Sequence, residues 1–134
     1  LNRFQRTRDD HSSELAEDYV ELIQTLLEDH GRARPGQLAA RFGVSQASVT
    51  KTIRRLEREG YVVAPPYRGV TLTEAGERLA AGVRARHRLV REFLEALGVS
   101  PQQAESDSEG IEHHVSEETL AAMRRYLRGF GSSE

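Results

Sequence analysis

Four side chains able to ligate a metal ion fall within six residues, Glu109, Gly110, Ile111, Glu112, His113 and His114. On an α-helix Glu109, Glu112 and His113 stand at i, i+3 and i+4 and share a face, while His114 is turned roughly 100° away. The spacing predicts three convergent donors, two carboxylates and an imidazole. Glu and His are also ordinary residues of a solvated helix turn, so the stretch makes a metal site only if other helices bring partners to it.

Two further groups can do so. Asp18 and Glu21 lie at i and i+3 beside the apolar stripe of a first helix, where neighbouring carboxylates repel unless a cation offsets them. His87 sits at the edge of the apolar face of a later helix and is expected to point at the interior or at an interface. The candidate ligands are therefore Asp18, Glu21, His87, Glu109, Glu112 and His113, spread over three helices. Four carboxylates and two imidazoles suit Mn²⁺, Fe²⁺ or Zn²⁺, and four acids can balance two divalent ions. The absence of cysteine excludes disulfides, thiolate zinc sites and iron–sulfur clusters.

Redox and nucleophilic chemistry find no support. Di-metal carboxylate oxidases use Glu-x-x-His pairs, and three positions before the histidines lie Arg8, Leu27, Arg84, Gly110 and Ile111. The chain has no Gly-x-Ser-x-Gly elbow and no phosphate-cradling glycine loop. It is not expected to be an enzyme.

The elements that must position these donors are mainly helical. Residues 1–13 are polar, carry Arg3, Arg6 and Arg8 without apolar periodicity, and are expected to form a flexible arm. From Ser12 or Ser13, Leu15, Tyr19, Leu22, Ile23, Leu26 and Leu27 recur at helical spacing as far as Gly31. Pro35 opens a short helix that Gly43 stops after Phe42, and Ser45 caps the next, which turns Val49, Ile53 and Leu56 inward. Gln46, Ala47, Ser48, Thr50, Lys51 and Arg54 remain for the outer side, and Arg55 and Arg58 follow as further phosphate anchors. A short helix, a glycine turn and a polar, basic second helix read as a helix-turn-helix that docks in the major groove.

Residues 61–64 and 70–72 read as strands around Pro65, Pro66, Tyr67, Arg68 and Gly69, a hairpin placed as a wing with Arg68 at its tip facing phosphate. Thr73 caps a long helix to about Leu97. Ser100, Pro101 and Gln103 form a capping-box start, and Ser116 caps a last helix whose stripe of Leu120, Met123, Leu127 and Phe130 needs a partner, either the long helix or a second subunit. The expected domains are the arm 1–13, a winged helix-turn-helix over 14–72 and a helical domain over 73–134.

Charge supports this division. The net −2 resolves into 3 basic and 8 acidic residues over 1–30, 13 and 4 over 31–91, and 3 and 9 over 92–134. A basic centre suits nucleic acid, and acidic flanks suit cations. No run of about 18 apolar residues or signal-peptide pattern is present, so a cytoplasmic, soluble protein is expected.

The Asp18-Tyr19-x-Glu21 segment, the helix start from Ser45 to Lys51, Tyr67-Arg68-Gly69, Arg86-His87 and, most specifically, Glu-Gly-Ile-Glu-His-His at 109–114 resemble the manganese-responsive branch of the diphtheria toxin repressor family of metal-activated repressors. The resemblance covers about residues 14–120. It implies a winged-helix repressor of manganese uptake genes, a homodimer joined through the helical domain, bound to operator DNA and needing no organic cofactor. It implies two Mn²⁺ per subunit on Asp18, Glu21, His87, Glu109, Glu112 and His113, with Glu21 and Glu112 bridging and His114 left out. The iron-responsive branch has Met and Cys where this chain has Asp18 and Glu109, and oxygen donors there favour manganese. Residues preceding Leu1 are expected, as is the lack of the SH3-like third domain of longer relatives. From residues alone, a winged-helix regulator sensing an organic anion and an Fe²⁺-responsive repressor stay open.

Overall fold

The computed structural model describes residues 3–132, with the side chains of residues 12–129. The order is α1 (Arg3–His30), α2 (Pro35–Phe42), α3 (Gln46–Arg58), β1 (Val62–Val63), β2 (Thr71–Leu72), α4 (Glu74–Ala96), α5 (Pro101–Ile111) and α6 (Glu117–Ser132). The fold is mainly α, a helix-turn-helix with a two-stranded wing followed by helices only.

The start of α1 differs from expectation. The helix begins at Arg3, so residues 3–13 continue it and do not form an arm. Neither Pro nor Gly occurs before Gly31, and Gln, Arg, Leu and Glu are good helix formers, so nothing stops the helix from extending upstream. Leu1, Asn2 and the side chains of Arg3, Arg6 and Arg8, assigned to the arm, lie outside the described residues.

Two compact units divide between Ala81 and Gly82, inside α4, whereas the change of sequence pattern falls at Leu72–Thr73. The first turns of α4 belong physically to the wing. The Thr73 hydroxyl donates to the Gly60 carbonyl oxygen at 2.6 Å and accepts from Gly76 N–H at 3.1 Å. Thr73 N–H also donates to the Tyr61 carbonyl oxygen at 3.0 Å, and a Cβ at position 76 would collide with that same oxygen.

The first unit closes round one apolar core. Tyr19, Ile23 and Leu26 of α1 meet Leu38 of α2, Val49, Ile53 and Leu56 of α3, and Val62 and Val70 of the wing, each at most 4% exposed. Tyr19 stacks on Phe42 with ring centroids 4.6 Å apart. Truncating Leu38 or Leu56 to Ala should therefore cost about 2–5 kcal/mol. Val62 pairs with Leu72 and Val63 with Thr71 in antiparallel register. The hairpin is pinned to the α1–α2 connection, where Val70 N–H donates to the Ala33 carbonyl oxygen at 2.7 Å.

The second unit consists of α4 from Gly82 onward, α5 and α6. Among the described residues Val83, Val90, Ala104 and Leu120 are its buried apolar ones, and Phe93 meets Tyr126 edge to face at 5.4 Å. Ser100 caps α5 by accepting from Gln103 N–H at 3.3 Å. Half of the expected capping box is seen, and the Gln103 side-chain amide donates forward to Asp107 at 2.8 Å.

Candidate DNA interface and metal centre

Helix α3 is held by its buried Val49, Ile53 and Leu56 at i, i+4 and i+7, a spacing that turns the other side of the helix outward. Gln46, Ala47, Ser48, Thr50, Lys51 and Arg54 are all exposed there. Ser45 fixes the helix start by accepting from Ser48 N–H at 3.1 Å, and Gly43, in the left-handed region at φ 69°, lets α2 end and the chain turn into it. The exposed side offers amides, hydroxyls and cations, the groups that meet base edges and phosphates in a major groove.

Arg68 is exposed in the wing turn beside Tyr67, which is fully exposed and at φ 62°. Gly69 allows this placement, since a Cβ there would lie 2.9 Å from the Ala33 carbonyl oxygen. Ala33 is buried while Arg32 and Arg34 on either side of it are exposed, so the α1–α2 connection presents two more cations that periodicity did not single out. Arg55 is a correction. Its guanidinium donates to the Ser12 carbonyl oxygen at 2.9 Å and to its hydroxyl at 3.0 Å, and pairs with Glu59 at 3.4 Å. It is engaged in joining α3 to α1 and is not a free phosphate anchor.

On α1, Asp18 and Glu21 are half-buried beside the core residues Tyr19, Val20 and Ile23. Glu14, one helical turn before Asp18 and also half-buried, adds a third acid that residue type and spacing did not single out.

In the second unit the structure brings His87, Glu112 and His113 together. Glu112 is 3% exposed, a buried carboxylate with an imidazole at each oxygen: His87 Nδ1 lies 2.6 Å from Oε2, and His113 Nε2 lies 3.6 Å from Oε1. Burial on its own would make an ionised Glu112 costly, so positive charge or a proton must be supplied by these neighbours. The stretch is not one continuous helix. Helix α5 ends at Ile111, Glu112 is its C-cap with N–H still donating to the Ser108 carbonyl oxygen, and His113 lies in the following turn, closed by His114 N–H to Ile111. Glu109, on the last turn of α5, is exposed and His114 is also exposed.

Two residues at this cluster were not anticipated. His87 Nε2 lies 2.8 Å from Glu105 Oε1, and Ser108, fully buried, places its hydroxyl 3.4 Å from His87 Nδ1. Burial of the His87 ring opposes its protonation, but the hydrogen bond to Glu105 and the charge of Glu112 together outweigh it and raise its pKa above the ordinary value. The same hydrogen bond, aided by Arg91, lowers that of Glu105. Helical periodicity marks Glu105 only as a polar position; its pairing depends on how α5 lies along α4, which no local pattern encodes.

The donor types suit a divalent cation: an imidazole flanks each oxygen of one buried carboxylate, and a cation can take the place of the imidazole protons. His87, Glu112 and His113 would hold it within this unit.

Known proteins resemble the chain throughout. Residues 11–70 match the family model described as iron dependent repressor, N-terminal DNA binding domain, and residues 73–133 match iron dependent repressor, metal binding and dimerisation domain. The transcriptional regulator MntR of Escherichia coli O6:H1 is 50% identical over 129 residues, 96% of this chain and 83% of that protein. The HTH-type transcriptional regulator MntR of Bacillus subtilis is 39% identical over 100 residues, 75% of this chain and 70% of that one. A solved manganese-dependent transcriptional repressor in complex with manganese superposes with a TM-score of 0.74 at 34% identity, over 84% of this chain. This chain spans 52% of the length of that one.

Proposed function

Because the chain belongs to the iron dependent repressor family, we propose that it is a Mn²⁺-responsive transcriptional repressor, a homodimer that binds operator DNA of manganese uptake genes and acts in the cytoplasm. The observation that carries the metal response is the buried Glu112 set between His87 and His113. Manganese rather than iron is favoured by the names of the similar regulators and by the oxygen donors at Asp18 and Glu109. No described helix is long and apolar enough to cross a membrane.

We assign Asp18, Glu21, His87, Glu109, Glu112 and His113 as the ligand set, for two ions per subunit. Bound there, a divalent cation would supply the positive charge that lets these carboxylates stay ionised. Glu112 is already held by two imidazoles. Asp18 and Glu21 ride on α1, whose Tyr19, Ile23 and Leu26 share one core with Val49, Ile53 and Leu56 of α3. A restraint on α1 therefore reaches the recognition helix through close-packed side chains, which transmit strain with little slack. In a dimer, restraining α1 relative to the dimerisation domain fixes two recognition helices to half-sites about one DNA turn, roughly 34 Å, apart. Leu97, Ile111 and Tyr126 of the second unit, each over one-third exposed, supply apolar surface for the partner subunit.

On DNA, Gln46, Ala47, Ser48 and Thr50 face base edges, while Lys51, Arg54 and Arg68 neutralise phosphates. The deciding experiment is operator binding titrated with Mn²⁺ and with chelator. Binding should tighten by about 5- to 150-fold in Mn²⁺, a coupling of roughly 1–3 kcal/mol. Equal affinity in both would overturn the reading.

A further inference from the structure

We propose that Glu105 is a positioning residue of the metal centre, which holds the His87 ring by its Nε2–H and so commits Nδ1 to the side of Glu112. The proposal rests on the reading that His87 and Glu112 are ligands.

The ring has a carboxylate at each nitrogen, and the two differ in kind. Glu112, at 2.6 Å from Nδ1, is buried; Glu105, at 2.8 Å from Nε2, is about half exposed. An imidazole ligates one ion through one nitrogen, and the tautomer is set by the hydrogen bond made by the other. A carboxylate accepting from the distal N–H fixes both tautomer and ring orientation and makes the ligating nitrogen a better donor. Glu105 occupies that distal place.

Two contacts hold it there. Arg91, one turn after His87 on α4, puts Nη1 3.6 Å from the second oxygen of Glu105. Ser108 donates its hydroxyl to the Glu105 carbonyl oxygen at 3.0 Å, bracing the turn of α5 that carries the side chain. The Arg91 guanidinium also disfavours a cation at Glu105, so Glu105 stays outside the coordination sphere. The histidine is thus oriented before metal arrives.

The test uses the full chain. Mn²⁺ affinity and stoichiometry are read by electron paramagnetic resonance of the free ion, and the His87 Nε2 proton by ¹⁵N NMR of the protein loaded with diamagnetic Zn²⁺. In the parent protein that proton should be hydrogen-bonded and slow to exchange. Glu105→Ala should lose this protection and weaken Mn²⁺ binding by about 10- to 100-fold with the number of ions unchanged, and Glu105→Gln, whose amide oxygen still accepts from Nε2–H, should recover much of both. An Nε2 proton as protected as in the parent, or an affinity within about twofold of the parent in Glu105→Ala, would overturn the proposal. So would a loss of one bound ion, which would make Glu105 a ligand. Glu112→Ala separates the two levels: if it binds Mn²⁺ as the parent does, the metal reading itself fails, whatever Glu105 does.

Discussion

The two units use polar side chains differently at their functional surfaces, though each buries an acid, Glu17 on α1 at 8% exposed and Glu112 at 3%. In the first, cations and amides are kept outside a closed apolar core: Val49, Ile53 and Leu56 of α3 are at most 4% exposed while Gln46, Lys51 and Arg54 stand in solvent. In the second, a buried acid is the centre of the cluster: Glu112 has an imidazole at each oxygen. A surface of exposed cations is stable with or without DNA and binds by counterion release. A buried acid is satisfied only by what binds it, so it can serve as a switch. The contrast assigns recognition to one unit and control to the other.

The sharpest way to break that assignment is Glu112→Ala. The whole Mn²⁺-dependent gain in operator affinity, about 5- to 150-fold, should vanish, leaving DNA binding equal to that of the parent in chelator. A variant that still tightens on DNA with Mn²⁺ would show that control does not run through the buried acid.

Lys51→Ala probes the other side. As a phosphate contact it should weaken operator and unrelated DNA alike, and flatten the dependence of log K on log salt by about one unit while the Mn²⁺ gain is kept. An effect confined to one base position would make Lys51 a base reader. Arg55→Ala sharpens the same point with a smaller effect. Because Arg55 is engaged with Ser12 and Glu59, its loss should lower stability in urea denaturation by about 1 kcal/mol and leave the salt slope as it was. A flattened slope would return Arg55 to the DNA face.

How far the sequence foretold each unit depends on the same contrast. The recognition unit was legible because its signals are local: Pro35 at a helix start, Gly43 and Ser45 at a turn, Val49, Ile53 and Leu56 at helical spacing, each acting within a few residues. The control unit was legible in part. Glu112 and His113 stood out by type and spacing, yet the end of α5 at Ile111 was hidden, since the closing turn depends on His114 N–H and on Ser116 capping α6. Glu105 was hidden altogether. Its partner is 18 positions away on α4, and one charged residue among many on a polar helix carries no mark of pairing. The helical start of α1 was missed for the reverse reason, because lack of apolar periodicity argues against burial and not against helix.

The smallest expected effect concerns pH in the metal-free protein. His87, raised from an ordinary 6.5, contributes stability that is full below that value and lost as pH rises through its elevated folded pKa. Glu105, lowered from an ordinary 4.5, contributes above that value and loses it as pH falls through its depressed folded pKa. Both contributions are complete only between 4.5 and 6.5, so the difference in thermal midpoint between the parent and Glu105→Gln should be greatest in that window and shrink on either side. Glu105 is half exposed and solvent screens the pair, which limits the difference to less than about 1 kcal/mol. Calorimetry in chelator across pH 4–8 checks it. A difference independent of pH would mean that Glu105 supports the second unit by packing alone, and that the imidazole between two carboxylates contributes nothing until metal binds.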